Sequence, residues 1–222
     1  GCSVTDSFSK VGGTFRVDSA VVTVTDGTVI ARSQSIDSAG AFRCNGGVLT
    51  VTGRSFVVNS TNVYAGGAVA SAGGIFKLED GSSIINSTCT ALFGGAFRMF
   101  GGSVEITGNS LLINSLAAFG GALHMSSGLF TMRNSRIVNS GVTAGQGGCI
   151  YTRGGQVFLT NVTVELSGAV LAEGSILYIA EESTLADTLI MITFTEFLQV
   201  QCEGSLFKQI GPAQIILREV GF

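Results

Sequence analysis

The chain has 222 residues, a length that an all-β fold commonly uses as one domain. Hydrophobic residues at 45%, charged residues at 12%, 32 glycines and a single proline exclude a disordered or proline-rich segment and leave ample material for a core. Twelve basic against fifteen acidic residues give a net charge of −3, which argues against general nucleic-acid binding.

A single histidine, His124, removes every mechanism that needs two imidazoles. The five cysteines (Cys2, Cys44, Cys89, Cys149 and Cys202) are widely spaced with no Cys-x-x-Cys pair, which fits neither a zinc site nor a dense disulfide scaffold. No metal or cofactor is expected. The most apolar stretch, Leu189 to Val200, is broken by Thr193, Thr195 and Glu196 and is too short to span a bilayer. Residues 1–11 read as a lead-in, beginning Gly1-Cys2-Ser3-Val4 without a methionine, a basic n-region or an apolar h-region. The chain is therefore expected to be processed or to belong to something longer.

Residues 12–222 repeat. Gly-Gly followed by a small and then an apolar residue recurs as Gly12-Gly13-Thr14-Phe15, Gly66-Gly67-Ala68-Val69, Gly94-Gly95-Ala96-Phe97, Gly120-Gly121-Ala122-Leu123 and Gly147-Gly148-Cys149-Ile150. Degenerate copies begin at Ala39-Gly40, Gly174-Ser175 and Gly204-Ser205. Taking the second residue as marker, positions 13, 40, 67, 95, 121, 148, 175 and 205 are separated by 27, 27, 28, 26, 27, 27 and 30 residues.

Each unit carries three short alternating runs, as period-two strands require. The first places Phe15, Phe42, Val69, Phe97, Leu123, Ile150, Leu177 and Phe207 in one column; the second places Val22, Leu49, Phe76, Val104, Phe130 and Val157 in another. The third gives an inward column of Val29, Phe56, Ile84, Leu111, Ile137 and Val164. Three strands per repeat, joined by Gly, Asn, Ser or Asp turns, predict a single-stranded right-handed parallel β-helix of about eight coils of ~27 residues. At ~4.8 Å per coil the rod is about 35 to 40 Å long.

The Gly-Gly-Ala-(Val/Leu/Phe) boxes, with Phe56-Val57-Val58-Asn59 as a Phe-x-x-Asn box, resemble the repeats of chlamydial polymorphic outer membrane proteins. Similar repeats occur in large surface proteins of protists. The resemblance covers roughly residues 12–180 and departs from the bacterial pattern in having one good Phe-x-x-Asn box. It implies a passenger-type β-helix used for adhesion or assembly, extracellular or at the cell surface; the alternative is a peripheral subunit of a membrane or filament complex.

Several columns carry groups that could do chemistry. Glycan-cleaving β-helices need carboxylates gathered on one face. Glu105 shares its column with Thr23, Thr50, Lys77, Thr131 and Phe158, and Glu165 with aliphatic residues, so no enzyme is expected. Thr23, Thr25, Thr50 and Thr52 start a threonine array that charge interrupts in the following coils.

One outward column is basic or aromatic, comprising Arg16, Arg43, Ala70, Arg98, His124, Tyr151, Tyr178 and Lys208. It reads either as a stripe for an acidic or sugar ligand or as exposed strand residues with polar tips in water. The outward position of the third strand reads Ile30, Val57, Ile85, Leu112, Val138 and Ile192, with Glu165 among them. An exposed apolar stripe implies a protein partner that covers it; the competing reading is a phase slip at a bulge that puts half of these side chains inside.

Asn59-Ser60, Asn86-Ser87, Asn114-Ser115 and Asn139-Ser140 close the third strand in four consecutive coils, a pattern for stacked amides. Asn59, Asn86 and Asn161 also head N-glycosylation triplets. Cys149 occupies the column of Ala68, Ala96 and Ala122, as a small buried thiol would. The function expected is structural: a non-enzymatic adhesion or assembly module, with a carbohydrate-binding or carbohydrate-processing β-helix and an accessory subunit of a large assembly as the alternatives.

Overall fold

A computed structural model describes all residues except 11–12, 166, 170–173, 175, 181–187, 194, 200, 203–204, 211–212 and 222. The described residues form strands, turns and bends, and no helix is long and apolar enough to cross a membrane. The fold is the expected right-handed parallel β-helix. Eight strands stack in one sheet: Phe15–Val17, Phe42–Cys44, Val69–Ser71, Phe97–Met99, Leu123–Met125, Ile150–Thr152, Leu177–Ile179 and Phe207–Gln209. Eight successive strands on this first face bound seven complete turns.

The second face stacks Val21–Val24, Val48–Val51, Ile75–Leu78 and Ser103–Ile106 and continues in later coils; the third stacks Ser3–Thr5, Val29–Ala31 and Phe56–Val58 and continues likewise. Beyond the three predicted strands each coil adds a short fourth ladder, exemplified by Gln34–Ser35 and Thr61–Asn62. Its origin lies in the glycine boxes. A β-carbon built on Gly40 would meet the Thr61 nitrogen at 2.8 Å and the Gly67 carbonyl oxygen at 2.0 Å. The fourth ladder therefore lies directly against stacked glycine backbones, and the second glycine of each box closes the coil. The first glycine is in the left-handed region at Gly66, Gly94, Gly120, Gly147 and Gly174, where a side chain is strained.

Inside the rod the side chains stack by column. Phe42, Phe76, Phe97 and Phe130 form a chain of ring contacts with centroids 5.5 to 6.1 Å apart. The second face contributes Leu49, Val104, Val157 and Ile190 inward, and two residues on Val51, Leu78, Ile106, Met132, Leu159 and Ile192.

The third face corrects the predicted phase. Its inward column is Ile30, Val57, Ile84, Leu112, Ile137, Val164 and Phe197, paired coil to coil and buried. Ile30, Val57 and Leu112, expected outside, are core residues, and Ile192 is a buried member of the second face. Ile85 and Val138 do point outward and are half-buried. The slip is made at the corner between the second and third faces. In the first four coils two consecutive residues there have positive φ: Asp26-Gly27, Gly53-Arg54, Asp80-Gly81 and Gly108-Asn109. In the next two coils only Asn134 and Asn161 do, so the corner is one residue shorter and the alternation shifts by one.

Candidate functional site

The corrected outward column of the third face is Ala31, Val58, Ile85, Ile113 and Val138, each paired with the next, followed by Glu165. Beside it runs a second outward column of Val29, Phe56, Ser83, Leu111 and Arg136, in which Ser83 is itself covered. Phe56 is 37% exposed. An aliphatic ladder thus does line the outside of this face, built partly from residues other than those the spacing singled out. It ends in an ion pair, Arg136 Nη2 to Glu165 Oε2 at 2.5 Å.

Asparagine corners frame the face. Asn59, Asn86, Asn114 and Asn139 all have φ between 52° and 56°, a conformation asparagine tolerates because its short amide meets little steric penalty there. Asn86 Nδ2 donates to Asn59 Oδ1 at 2.9 Å, Asn114 to Asn86 at 2.8 Å and Asn139 to Asn114 at 2.8 Å. On the opposite corner Asn161 Nδ2 donates to Asn134 Oδ1 at 2.8 Å. The glycosylation triplets at Asn59, Asn86 and Asn161 therefore sit on exposed corners within amide ladders. Shallow grooves run along both, one of about 400 Å³ beside Asn109, Asn134 and Asn161 and one of about 310 Å³ beside Asn86, Asn114 and Asn139.

The basic and aromatic stripe forms in register as predicted, from Arg16 through Arg43, Ala70, Arg98, His124, Tyr151 and Tyr178 to Lys208. Its middle is covered. Arg98, His124, Tyr151 and Tyr178 are buried, while Arg16 is exposed and Arg43 and Lys208 are half-buried. The cover is Phe93 and Phe119, each standing immediately before a Gly-Gly box, with ring centroids 5.7 Å apart. Phe93 lies 4.2 Å from His124, Phe119 lies 5.6 Å from Tyr151, and His124, Tyr151 and Tyr178 stack at 4.7 and 5.2 Å. An aromatic in that repeat position was the signal that the outward strand column had a lid.

Arg98 donates to His124 Nδ1 and lies over the rings of Phe93 and Phe100, at 4.7 and 4.3 Å. Burial, reinforced by the charge of Arg153, pushes its pKa down to about 10.

Several carboxylates on the outer faces are held by neighbouring cations. Asp6 makes two bonds to Arg32 at 2.5 and 2.6 Å, Asp18 pairs with Arg16 at 3.0 Å, and Glu105 with Lys77 at 3.4 Å. Hydrogen bonding from Arg32 lowers the Asp6 pKa, and hydrogen bonds from Asn45 and Arg16 lower that of Asp18. Among the described residues no three metal-ligating side chains come together. Glu181 and Glu182 lie outside the described residues. Cys44, Cys89 and Cys149 are buried free thiols, and Cys2 is an exposed one. Burial raises the pKa of Cys44 and Cys89 and pushes that of Cys149 up to about 12.

No protein-family model, curated protein or solved structure matches the chain.

Proposed function

We propose that the chain is a non-enzymatic structural module that docks to a protein partner through the outer surface of its third face. The observation that carries this reading is the outward aliphatic column of the half-buried Val58, Ile85, Ile113 and Val138, begun by the buried Ala31, which runs through five coils with no charged side chain of its own. The resemblance of the Gly-Gly boxes to polymorphic outer membrane protein repeats supports a surface-exposed scaffold of the passenger type.

Size refines the proposal. Five coils at ~4.8 Å, two outward columns wide, make a patch of about 300 Å². Free partners that associate stably bury about 800 Å² each. The patch therefore suits a partner already held close by, inside a larger assembly, where the effective concentration supplies what area does not. That favours a subunit of a surface, membrane or filament assembly over a free adhesin. The competing sugar-binding reading of the Arg/Tyr stripe loses ground, because Phe93 and Phe119 cover the centre of that stripe.

The test is to replace Val58 and Ile113 together by aspartate and to isolate the chain from its source. The double variant should fold with the wild-type circular dichroism spectrum and leave the assembly. Retention in the assembly would refute docking through this face.

A further inference from the structure

The groove of about 400 Å³ on the corner between the second and third faces is lined by Asn109, Asn134, Asn161, Arg136, Thr163 and Leu111, together with Ser135. Asn109, Asn134 and Asn161 are exposed and held at positive φ (60°, 47° and 52°), so backbone conformation fixes where their amides begin. One ladder bond, Asn161 to Asn134, orients two of the amide planes along the rod. It leaves the Asn134 nitrogen, the Asn161 oxygen and the whole Asn109 amide without a protein partner among the described residues. On the other corner the amides of four consecutive coils are chained to one another, and the groove there offers fewer unspent groups.

The groove is also neutral. Its one cation, Arg136, is bonded to Glu165, and the pair presents further donors and acceptors without net charge. Leu111 is the one aliphatic side chain in its lining. We infer that this groove binds a neutral, extended oligosaccharide. Sugar hydroxyls both donate and accept, which matches amides that expose both functions. The amides recur at the ~4.8 Å coil spacing, so an elongated ligand lying along the rod meets one at each step. Among the lining residues an anionic polymer finds no uncompensated cation, and its phosphates or carboxylates would face Glu165. Without an aromatic platform the affinity is weak, with a dissociation constant of about 1 mM.

This inference goes beyond the docking reading, and its test leaves Val58 and Ile113 untouched. Cellohexaose, maltohexaose and chitohexaose are titrated separately into ¹⁵N-labelled chain, and amide chemical shifts are followed. At least one should give saturable shifts confined to Asn109, Asn134, Asn161 and their neighbours, unchanged by raised salt. The Asn109→Gly/Asn134→Gly variant keeps residues that accept positive φ and should fold, yet weaken binding about tenfold or more. Absence of saturable shifts with all three sugars, shifts on another face, or full binding by the double variant would overturn the inference.

Discussion

Gly67 and Thr88 approach so closely that no methyl group fits between them. A β-carbon on Gly67 would lie 2.6 Å from the Thr88 nitrogen and 2.1 Å from the Gly95 carbonyl oxygen. One coil on, Gly95 stands in the same relation to Leu116, at 2.4 Å from its nitrogen. The obstacle is backbone in both directions, so neither side can yield without opening a ladder. Gly67→Ala should cost about 3 kcal/mol or more in urea unfolding. Gly81→Ala is the contrast: Gly81 has the positive φ that Gly67 lacks, but its nearest atom is the flexible Arg54 Cγ at 3.7 Å, and it should lose only about 1 to 2 kcal/mol. A loss at Gly67 no larger than that at Gly81 would show that the close backbone approach at the second glycine is relieved cheaply and does not hold the coil closed.

The corrected phase of the third face separates two pairs of aspartate substitutions that look alike on paper. Val57 and Leu112 are fully buried, whereas Val58 and Ile113 are their outward neighbours. Val57→Asp with Leu112→Asp should prevent folding, since it places two carboxylates in an apolar core. Val58→Asp with Ile113→Asp should melt within a few degrees of the wild type. A folded first variant and an unfolded second would restore the original phase.

How far the sequence could be read depended on what the repeat encodes. The Gly-Gly spacing and the columns through Phe42, Phe76 and Phe97 report coil length and the first two faces directly, because those strands keep constant register from box to box. The third face lies beyond a corner whose length changes between Asn109 and Asn134, from two left-handed residues to one. One box offset fits the short corners, where Ile137 and Val164 are inward as expected, and misses by one residue in longer-cornered coils, where Ile30, Val57 and Leu112 are inward in place of Val29, Phe56 and Leu111; a one-residue error in a strand exchanges inside for outside. The lid over His124 was hidden for a different reason. Alternation tells which way a strand residue points, but it is silent on whether a loop residue such as Phe93 returns to cover it.

The amide ladder predicts its own hierarchy of substitutions at Asn114. This residue donates to Asn86, accepts from Asn139 and has a φ of 53°. Asn114→Gly relieves the conformation but loses both bonds, and should cost about 1 kcal/mol. Asn114→Leu loses the same bonds and adds left-handed strain, for a total of about 2 to 3 kcal/mol. The difference between the two in chemical denaturation isolates the backbone term. Identical losses would mean the corner does not need a left-handed residue.

Buried serines beside that ladder make the opposite prediction. The hydroxyls of Ser60, Ser87, Ser115 and Ser140 are enclosed, one per coil, with no hydrogen-bond partner among the described residues. Each carries a desolvation cost that no bond offsets. Ser87→Ala should leave stability unchanged or raise it by up to about 1 kcal/mol, unlike most core substitutions. A loss of 2 kcal/mol or so in thermal unfolding would reveal a bond made through enclosed water.

Cys149 links the core to pH. It is fully enclosed in the alanine column of Ala68, Ala96 and Ala122, and burial holds its thiol protonated up to about 12 against an ordinary value of 9.0. The unfolded chain therefore releases this proton at a lower pH than the folded one. Below pH 9 both states keep it and the group has no pH effect; from 9 towards 12 the folded state binds more protons, so stability falls as pH rises. Cys149→Ala suits the column and removes the titration. The stability difference between the two proteins should be flat from pH 6 to 8, then move against the wild type by on the order of 1 kcal/mol per pH unit above 9. Because every other group titrates alike in both, the difference isolates this thiol. Parallel stability curves through pH 10.5 would show that the Cys149 thiol ionises as readily inside the rod as in the unfolded chain.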